Sequence, residues 1–570
     1  MELNTDPVRS GTTYSGAAYC ILSSDDVADI NTWPKQPAHR YPKVSNKKAL
    51  YMRLLSIFIA TSTDKVNNPC SNIQLYKSDT MQLAAWGNAA RQKRSQATQD
   101  NYIFLNLYKL YLDDSLDGIL PLPGGIKPIQ LVADYLRAFH AHVVSEMKKG
   151  FAQQFEEHQY RYCLTVPAMW SDKSKKAMRD AAILAGLITE DDPHDRLMLI
   201  SEPEAAAIYC EHACDQFDMS DGDEFMICDA GGGTVDLIVF TVKMGIDGTR
   251  RFKESTKGMG KSCGSSFVDK RMRKLLKSKL KKVVDRIPDG AMETMMETFV
   301  DTMKPEFDGT DDMFMPIPLT LGLTPEQTDE SIGLDAGYLR FTVDELKERV
   351  FEPVVQDVLA LIQKQRLQTT NLKAIFTVGG FGASHYLQQR IAEEYTKQGI
   401  KVITPHRAEL AVARGAAYFG KNPYKVATRV PRYWYGIDIT NTFLPGVDPE
   451  EYKIIRADGS VRCDNRFSCF VPRGEPLDMD SCITQKYKTI YPCPTACTFY
   501  AASTDEMPRY TLQPGVRKVF DFEIPMPVLP DVAEGEPLDL TIKMYFGEVE
   551  LRVEAVIRGQ TYRVVCNFNV

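Results

Sequence analysis

Two apolar runs, Phe225–Cys228 and Val235–Val242, flank the segment Asp229-Ala230-Gly231-Gly232-Gly233-Thr234. The runs have the length of strands, and the glycines make the joint between them a tight turn. Consecutive glycines can take positive φ and bring bare N–H groups against an anion. Asp229 and Asp236 stand at the two strand ends. Hard carboxylate oxygens so placed can hold a magnesium ion through its waters. Two more turns share this chemistry. Gly11-Thr12-Thr13-Tyr14-Ser15-Gly16 lies near the N-terminus, and Val378-Gly379-Gly380-Phe381-Gly382-Ala383-Ser384 follows the apolar run Ala374–Val378 and precedes a helical pattern. One glycine turn is ordinarily only a turn. Three, with threonine hydroxyls as donors and carboxylates on strand ends, point to a nucleotide site.

The rest of the chain reads as α/β and then all-β. Ile129, Val132, Ala133, Leu136, Phe139 and Val143 recur at helical spacing. Tyr162–Val166 is a strand stopped by Pro167, and a helix runs from an N-cap at Ser171 to a C-cap at Gly186. A helix over Asp344–Gln363 is interrupted near Pro353. Residues 44–82 show neither period and remain unplaced, and Pro423–Pro431 reads as a linker. Beyond it the period is two: Leu538, Leu540, Ile542, Met544 and Phe546, then Val549, Leu551, Val553 and Ala555 about a turn at Gly547, form a hairpin with one buried face. At 570 residues the chain has room for three or four domain-sized units.

Composition excludes several classes. Lys+Arg 68 against Asp+Glu 75 gives a net charge of -7, so no global field draws the chain to nucleic acid or anionic membrane. The basic stretch Lys270–Arg286 carries its own apolar stripe (Met272, Leu275, Leu276, Leu280) and reads as a packed helix with a solvated face. Thirteen cysteines without paired spacing, and no signal peptide, favour a reducing compartment, cytoplasmic or nuclear. The most apolar stretch, Ala49–Ser62, is too short to span a bilayer and contains Arg53.

These segments resemble, in order, the heat shock protein 70 family of the actin-like ATPase superfamily. The carrying residues are Gly11–Gly16, Thr165-Val166-Pro167-Ala168, Ser201-Glu202-Pro203-Glu204-Ala205-Ala206-Ala207, Asp229–Asp236, Val378–Ser384 and Ala411-Val412-Ala413-Arg414-Gly415-Ala416-Ala417. Cys263-Gly264, where common members carry two glycines, resembles the divergent twelve-type branch. The resemblance implies a two-lobed actin-like ATPase over residues 1–428, with ribonuclease-H-like duplicated lobes. A β-sandwich over 429–570 would follow it, without a helical lid. It implies ATP with Mg2+ as cofactors, slow hydrolysis, and client polypeptides and co-chaperones as partners. Residue by residue, Gly11, Thr12, Thr13, Gly231, Gly232, Gly233 and Thr234 would contact phosphates, and Glu202 would orient the attacking water. Asp229 and Asp236 would serve the metal, and Lys109 would be the catalytic lysine. Gly379, Gly380 and Ser384 would lie beneath adenosine, with Asp301 and Lys304 the remnant of a clamp whose arginine is here Pro305.

Departures accompany the resemblance. The family places an apolar strand and an Asp before the first glycine turn; here the chain reads Thr5-Asp6-Pro7-Val8-Arg9-Ser10-Gly11, with Arg9 at the Asp's place. The 423–431 segment lacks the acidic-apolar coupling motif. Two other functions fit part of the pattern: a degenerate scaffold that binds nucleotide without turnover, and a small-molecule kinase of the same superfamily. Gly260-Lys261-Ser262-Cys263-Gly264 also fits a nucleophile elbow, but the polar run Lys253–Met259 offers no strand before it.

Overall fold

The computed structural model describes residues 14–21, 27–30, 55–62, 70–71, 73–96, 101–106, 108–112, 122–150, 160–168, 170–214, 217–245, 248–284, 287–324, 327–456, 459–478, 481–546 and 552–563. The chain forms two compact units. One comprises 1–170, 177–242 and 258–425; the other comprises 171–176, 243–257 and 426–570.

The first unit is built on two sheets. Strands β1 (Tyr14–Ile21), β2 (Val27–Asp29), β3 (Leu55–Ser62), β4 (Tyr160–Val166) and β5 (Leu197–Ser201) lie in the order β2-β1-β3-β4-β5. β3 runs antiparallel to β1 and parallel to β4, and β4 is parallel to β5. In the second sheet, β6 (Glu224–Ala230), β7 (Val235–Met244), β8 (Leu372–Val378) and β9 (Lys401–Ile403) lie in the order β9-β8-β6-β7. β6 is antiparallel to β7 and parallel to β8, which is parallel to β9. Each sheet thus has a central strand with an antiparallel neighbour on one side and a parallel pair on the other. A central strand covered on both faces reads as a continuous apolar run, as Phe225–Cys228 does.

Part of the stretch left unplaced by sequence therefore supplies β3, and Ile73–Lys77 from the same stretch pairs with Leu83–Trp86 and Tyr102–Asn106 in a three-stranded sheet. β3 finds its partners far along the chain, so no local period announces it. Around the second sheet, helix Ser266–Leu280 buries Met272, Leu275, Leu276 and Leu280 in one core with Val354, Val355, Val358 and Ile362 of helix Glu352–Arg366. Arg271, Lys274 and Lys277 stay exposed, and Lys279 pairs with Glu345, which makes the basic stretch a packed helix. The interruption near Pro353 is a π turn, Lys347–Phe351, which ends where Pro353 can start a new helix.

Two expectations are corrected. Val426–Arg429, read as linker, is a strand that pairs with Arg250–Glu254 and with Leu477–Asp478. Strands Arg250–Glu254 and Met259–Lys261 reach into the two ends of the polar run Lys253–Met259, and the second stands directly before Ser262, where none was expected. In both places backbone pairing to a neighbour overrides a composition that lacks alternation.

The second unit holds two antiparallel sheets. Trp434–Thr442, Val461–Val471, Thr495–Ala502 and Val516–Ile524 belong to one, and Cys482–Ile490, Pro537–Tyr545, Arg552–Ile557 and Gln560–Arg563 to the other. Ile437, Phe470, Phe499 and Phe520 of the first share one core with Leu540, Ile542, Met544, Val553 and Ala555 of the second. The hairpin read from the sequence forms with Met544 opposite Val553 and Leu540 opposite Ile557. Val549 and Leu551 lie outside the described residues.

Candidate functional site

The glycine turn joins β6 to β7 with Asp229 and Asp236 as cross-strand partners, so two carboxylates are set side by side by register. The turn's carbonyl edge is fully used. Gly233, Gly231 and Gly232 accept from the N–H groups of Gly264, Ser265 and Ser266 at 3.2, 3.0 and 2.8 Å. A Cβ on Gly264 would lie 2.4 Å from the Gly231 oxygen, so only glycine fits there. The nucleophile-elbow segment therefore serves as a wall for the turn. On the other side, a Cβ added to Gly233 would meet nothing within 4 Å, so the turn has open space beside it.

Glu202 opens helix α1 (Glu202–Ala213), whose N-cap Ser201 makes a capping box with Glu204. It pairs with Lys109, which sits on the 3-10 turn Tyr108–Leu112. Lys109 Nζ also donates to the Thr165 carbonyl at 3.3 Å and lies 5.5 Å from the centre of the Trp170 ring. Glu202, Asp229 and Asp236 are all buried. Burial pushes the Asp229 carboxyl well above the usual carboxylate range; the Glu202 and Asp236 charges push the same way, and Lys109 opposes them. Four sequence-chosen side chains thus interact within one buried cluster.

The turn at Gly379 meets the same cluster. Gly379 has φ +80°, and a Cβ there would lie 2.5 Å from the Ala230 oxygen and 2.7 Å from Asp229 Oδ1. Gly380 follows in the short helical turn Gly379–Gly382, and Ser384 stands at the N-cap of helix His385–Tyr395. Helix α2 (Ala411–Lys421) crosses α1 so closely that a Cβ on Gly415 would overlap the Ala205 oxygen at 1.7 Å. The small residues of Ala205-Ala206-Ala207 and Ala413–Ala417 are what that approach requires.

Asp301 and Lys304 fall where the π turn Phe299–Met303 meets a short helical turn, Lys304–Glu306. Asp301 is exposed, whereas Lys304 is buried on Asp269, with Nζ 2.9 and 3.2 Å from its two oxygens. Gly11, Thr12, Thr13 and Arg9 lie outside the described residues. Sequence reasoning missed Asp269, the Thr165 carbonyl and Trp170. Asp269, as an acid in the first turn of Ser266–Leu280, carried a weak signal; the other two carried none.

The donor set suits magnesium and nucleotide: buried carboxylate oxygens, one lysine, and a glycine turn with open space beside Gly233. Among the described residues no three His, Cys, Asp or Glu side chains group closely enough to ligate a metal directly.

A family model described as Hsp70 protein matches residues 136–422, half of the chain. Over 75% of its length the chain is 26% identical to heat shock 70 kDa protein 12B of Homo sapiens, across 73% of that protein. Heat shock 70 kDa protein 12A of Homo sapiens is 23% identical over 80% of this chain and 78% of its own. Chaperone protein DnaK of Stenotrophomonas maltophilia is 26% identical over 49% of this chain and 41% of its own. The glycine turns, the cluster they enclose and these matches lead to one conclusion: the chain belongs to the Hsp70 family and is similar to its twelve-type members over most of its length.

Proposed function

We propose that residues 1–428 bind ATP with magnesium and hydrolyse it slowly, and that 429–570 bind an extended client polypeptide to which the ATPase is loosely coupled. Family membership already makes the chain a chaperone-like ATP-binding protein with an actin-like ATPase fold and a C-terminal domain. The observation that carries the finer reading is the buried cluster of Lys109, Glu202, Asp229 and Asp236 beside the glycine turn.

Phosphoryl transfer asks a protein for positioning and charge more than for covalent chemistry. Gly232, Gly233 and Thr234 offer backbone N–H groups to phosphate oxygens, while the Gly231 N–H closes the turn on the Thr234 carbonyl at 2.9 Å. Asp229 and Asp236 would hold the magnesium waters, and bound magnesium would neutralise charge on the phosphates. Lys109 holds the Glu202 carboxylate in place and presents positive charge where negative charge develops. Glu202 accepts a hydrogen bond from the attacking water and aligns it. Gly379 and Gly380 keep the backbone low enough for the adenosine to lie over it.

Titration calorimetry of the full chain with ATP and ADP, followed by a turnover assay, tests this. Binding is expected for both nucleotides, and Lys109→Met is expected to cut turnover by about 10²–10³-fold while leaving ADP affinity near wild type. No nucleotide binding by folded protein sinks the proposal. Binding with no turnover leaves the scaffold reading in its place.

A further inference from the structure

The two sheets of the first unit share one wiring, and their registers correspond residue for residue. In the second sheet Asp236 of β7 stands opposite Asp229 on one side and opposite Gly260 on the other, both antiparallel. In the first sheet Ser15 of β1 stands opposite Thr61 of β3 on one side and opposite Cys70 on the other, both antiparallel. One residue earlier, Val235 is flanked by Ala230 and Lys261, and Tyr14 by Ser62 and Ser71. The parallel side agrees. Asp229 pairs with Val378, the last residue of β8. The β3–β4 register, which pairs Ile59 with Leu164, sets Thr61 opposite Val166, the last residue of β4, when it is continued. Three ladders give one equivalence: Thr61 is to the first sheet what Asp229 is to the second.

The chain reaches these places by different routes. β6 leads directly into β7 through Gly231–Thr234, whereas β3 follows β1 in the sequence. The order of central and flanking strand is exchanged. Counting back from the glycine turn assigns Arg9 to the place of the missing acid, because Arg9 precedes Gly11 as Asp229 precedes Gly231. The ladders assign that place to Thr61.

We propose that Thr61, at the end of β3, is the first lobe's counterpart of Asp229 in the nucleotide site. An uncharged hydroxyl residue then stands where the second sheet carries a metal-holding carboxylate. The inference rests on the nucleotide reading given above. A hydroxyl can donate to a phosphate oxygen but adds no negative charge for a dication. Among the described residues, the strand-end carboxylates that serve magnesium are then Asp229 and Asp236 of the second lobe. Nucleotide affinity depends less on magnesium as a result, and the ion is less firmly placed for hydrolysis.

Calorimetry of the full chain with ADP, in magnesium and in EDTA, reads the metal's share of the affinity. Thr61→Asp is expected to raise the ratio of the two affinities by about tenfold, and Arg9→Asp to leave it at the wild-type value. A rise with Arg9→Asp and none with Thr61→Asp overturns the assignment, as does no change with either in protein that binds ADP. Wild-type protein that binds no ADP refutes the nucleotide reading instead. Strand placement is then decided separately by Ser15→Cys with Thr61→Cys, oxidised with copper–phenanthroline and digested. A disulfide-linked peptide pair joining 15 and 61 is expected, and none from Arg9→Cys with Thr61→Cys. Absence of the 15–61 link, or misfolding of that pair alongside an unchanged ratio in Thr61→Asp, overturns the exchange of strands.

Discussion

Asp229 is held by the fold in a state it resists: buried, with Glu202 and Asp236 nearby and only Lys109 in opposition. Charge gathered in that way favours a bound cation and disfavours the empty protein. Asp229→Asn is therefore expected to raise the melting temperature of nucleotide-free protein in EDTA by about 1 °C, equivalent to ~1 kcal/mol in a unit of this size. The same variant should weaken magnesium–ADP binding by about tenfold; scanning calorimetry and titration calorimetry check the two. Glu352 shows the opposite behaviour. Burial alone would raise its carboxyl, but hydrogen bonds from Arg390, Gln356 and Tyr386 outweigh burial and bring it to about 2 from an ordinary 4.5. A depressed folded value means that its stabilising contribution is complete above 4.5 and fades as pH falls towards 2. The stability gap between wild type and Glu352→Gln in urea should thus narrow between pH ~6 and ~3. Asp229 was legible in the sequence because its role follows from a local turn. Asp269, the partner of Lys304, was not, because that pair exists only through the packing of two separate segments.

Where elements meet, glycine marks closeness more than flexibility. The α1–α2 crossing leaves no room for a methyl group at Gly415, since the Ala205 oxygen would sit 1.7 Å from it. Gly415→Ala must part the two helices, and a cost of about 1–3 kcal/mol is expected, read as a lower urea midpoint with an unchanged slope. The legible elements were those whose pattern is complete within a few residues: the β6–β7 hairpin, the period-two hairpin Pro537–Ile557, and the amphipathic helix Ser266–Leu280. β3 and Val426–Arg429 escaped because their partners lie far along the chain and their residues do not alternate. Lys304 follows a π turn that holds Asp301, and its ammonium is spent on Asp269 of another helix, a pairing that no local spacing announces.

For the molecule as a whole, the missing acidic-apolar motif between Gly420 and Tyr433 sets the expectation. Peptide affinity should change less than about fivefold on adding ATP, below the ~1–3 kcal/mol of a full allosteric coupling. Fluorescence anisotropy with apolar heptapeptides, with and without ATP, measures it, and a larger effect would show that coupling runs through another route. The exchanged strand order has a further consequence, for synthesis and folding. β6 and β7 can zip together as soon as both have left the ribosome, because only a four-residue turn separates them. β3 must instead find β1 across residues 22–54, and β4 across more than a hundred positions, with Leu55 opposite Tyr160. Long loops close slowly and late. Pulse-labelled hydrogen exchange during refolding should therefore protect amides of 224–244 before those of 14–21 and 55–62.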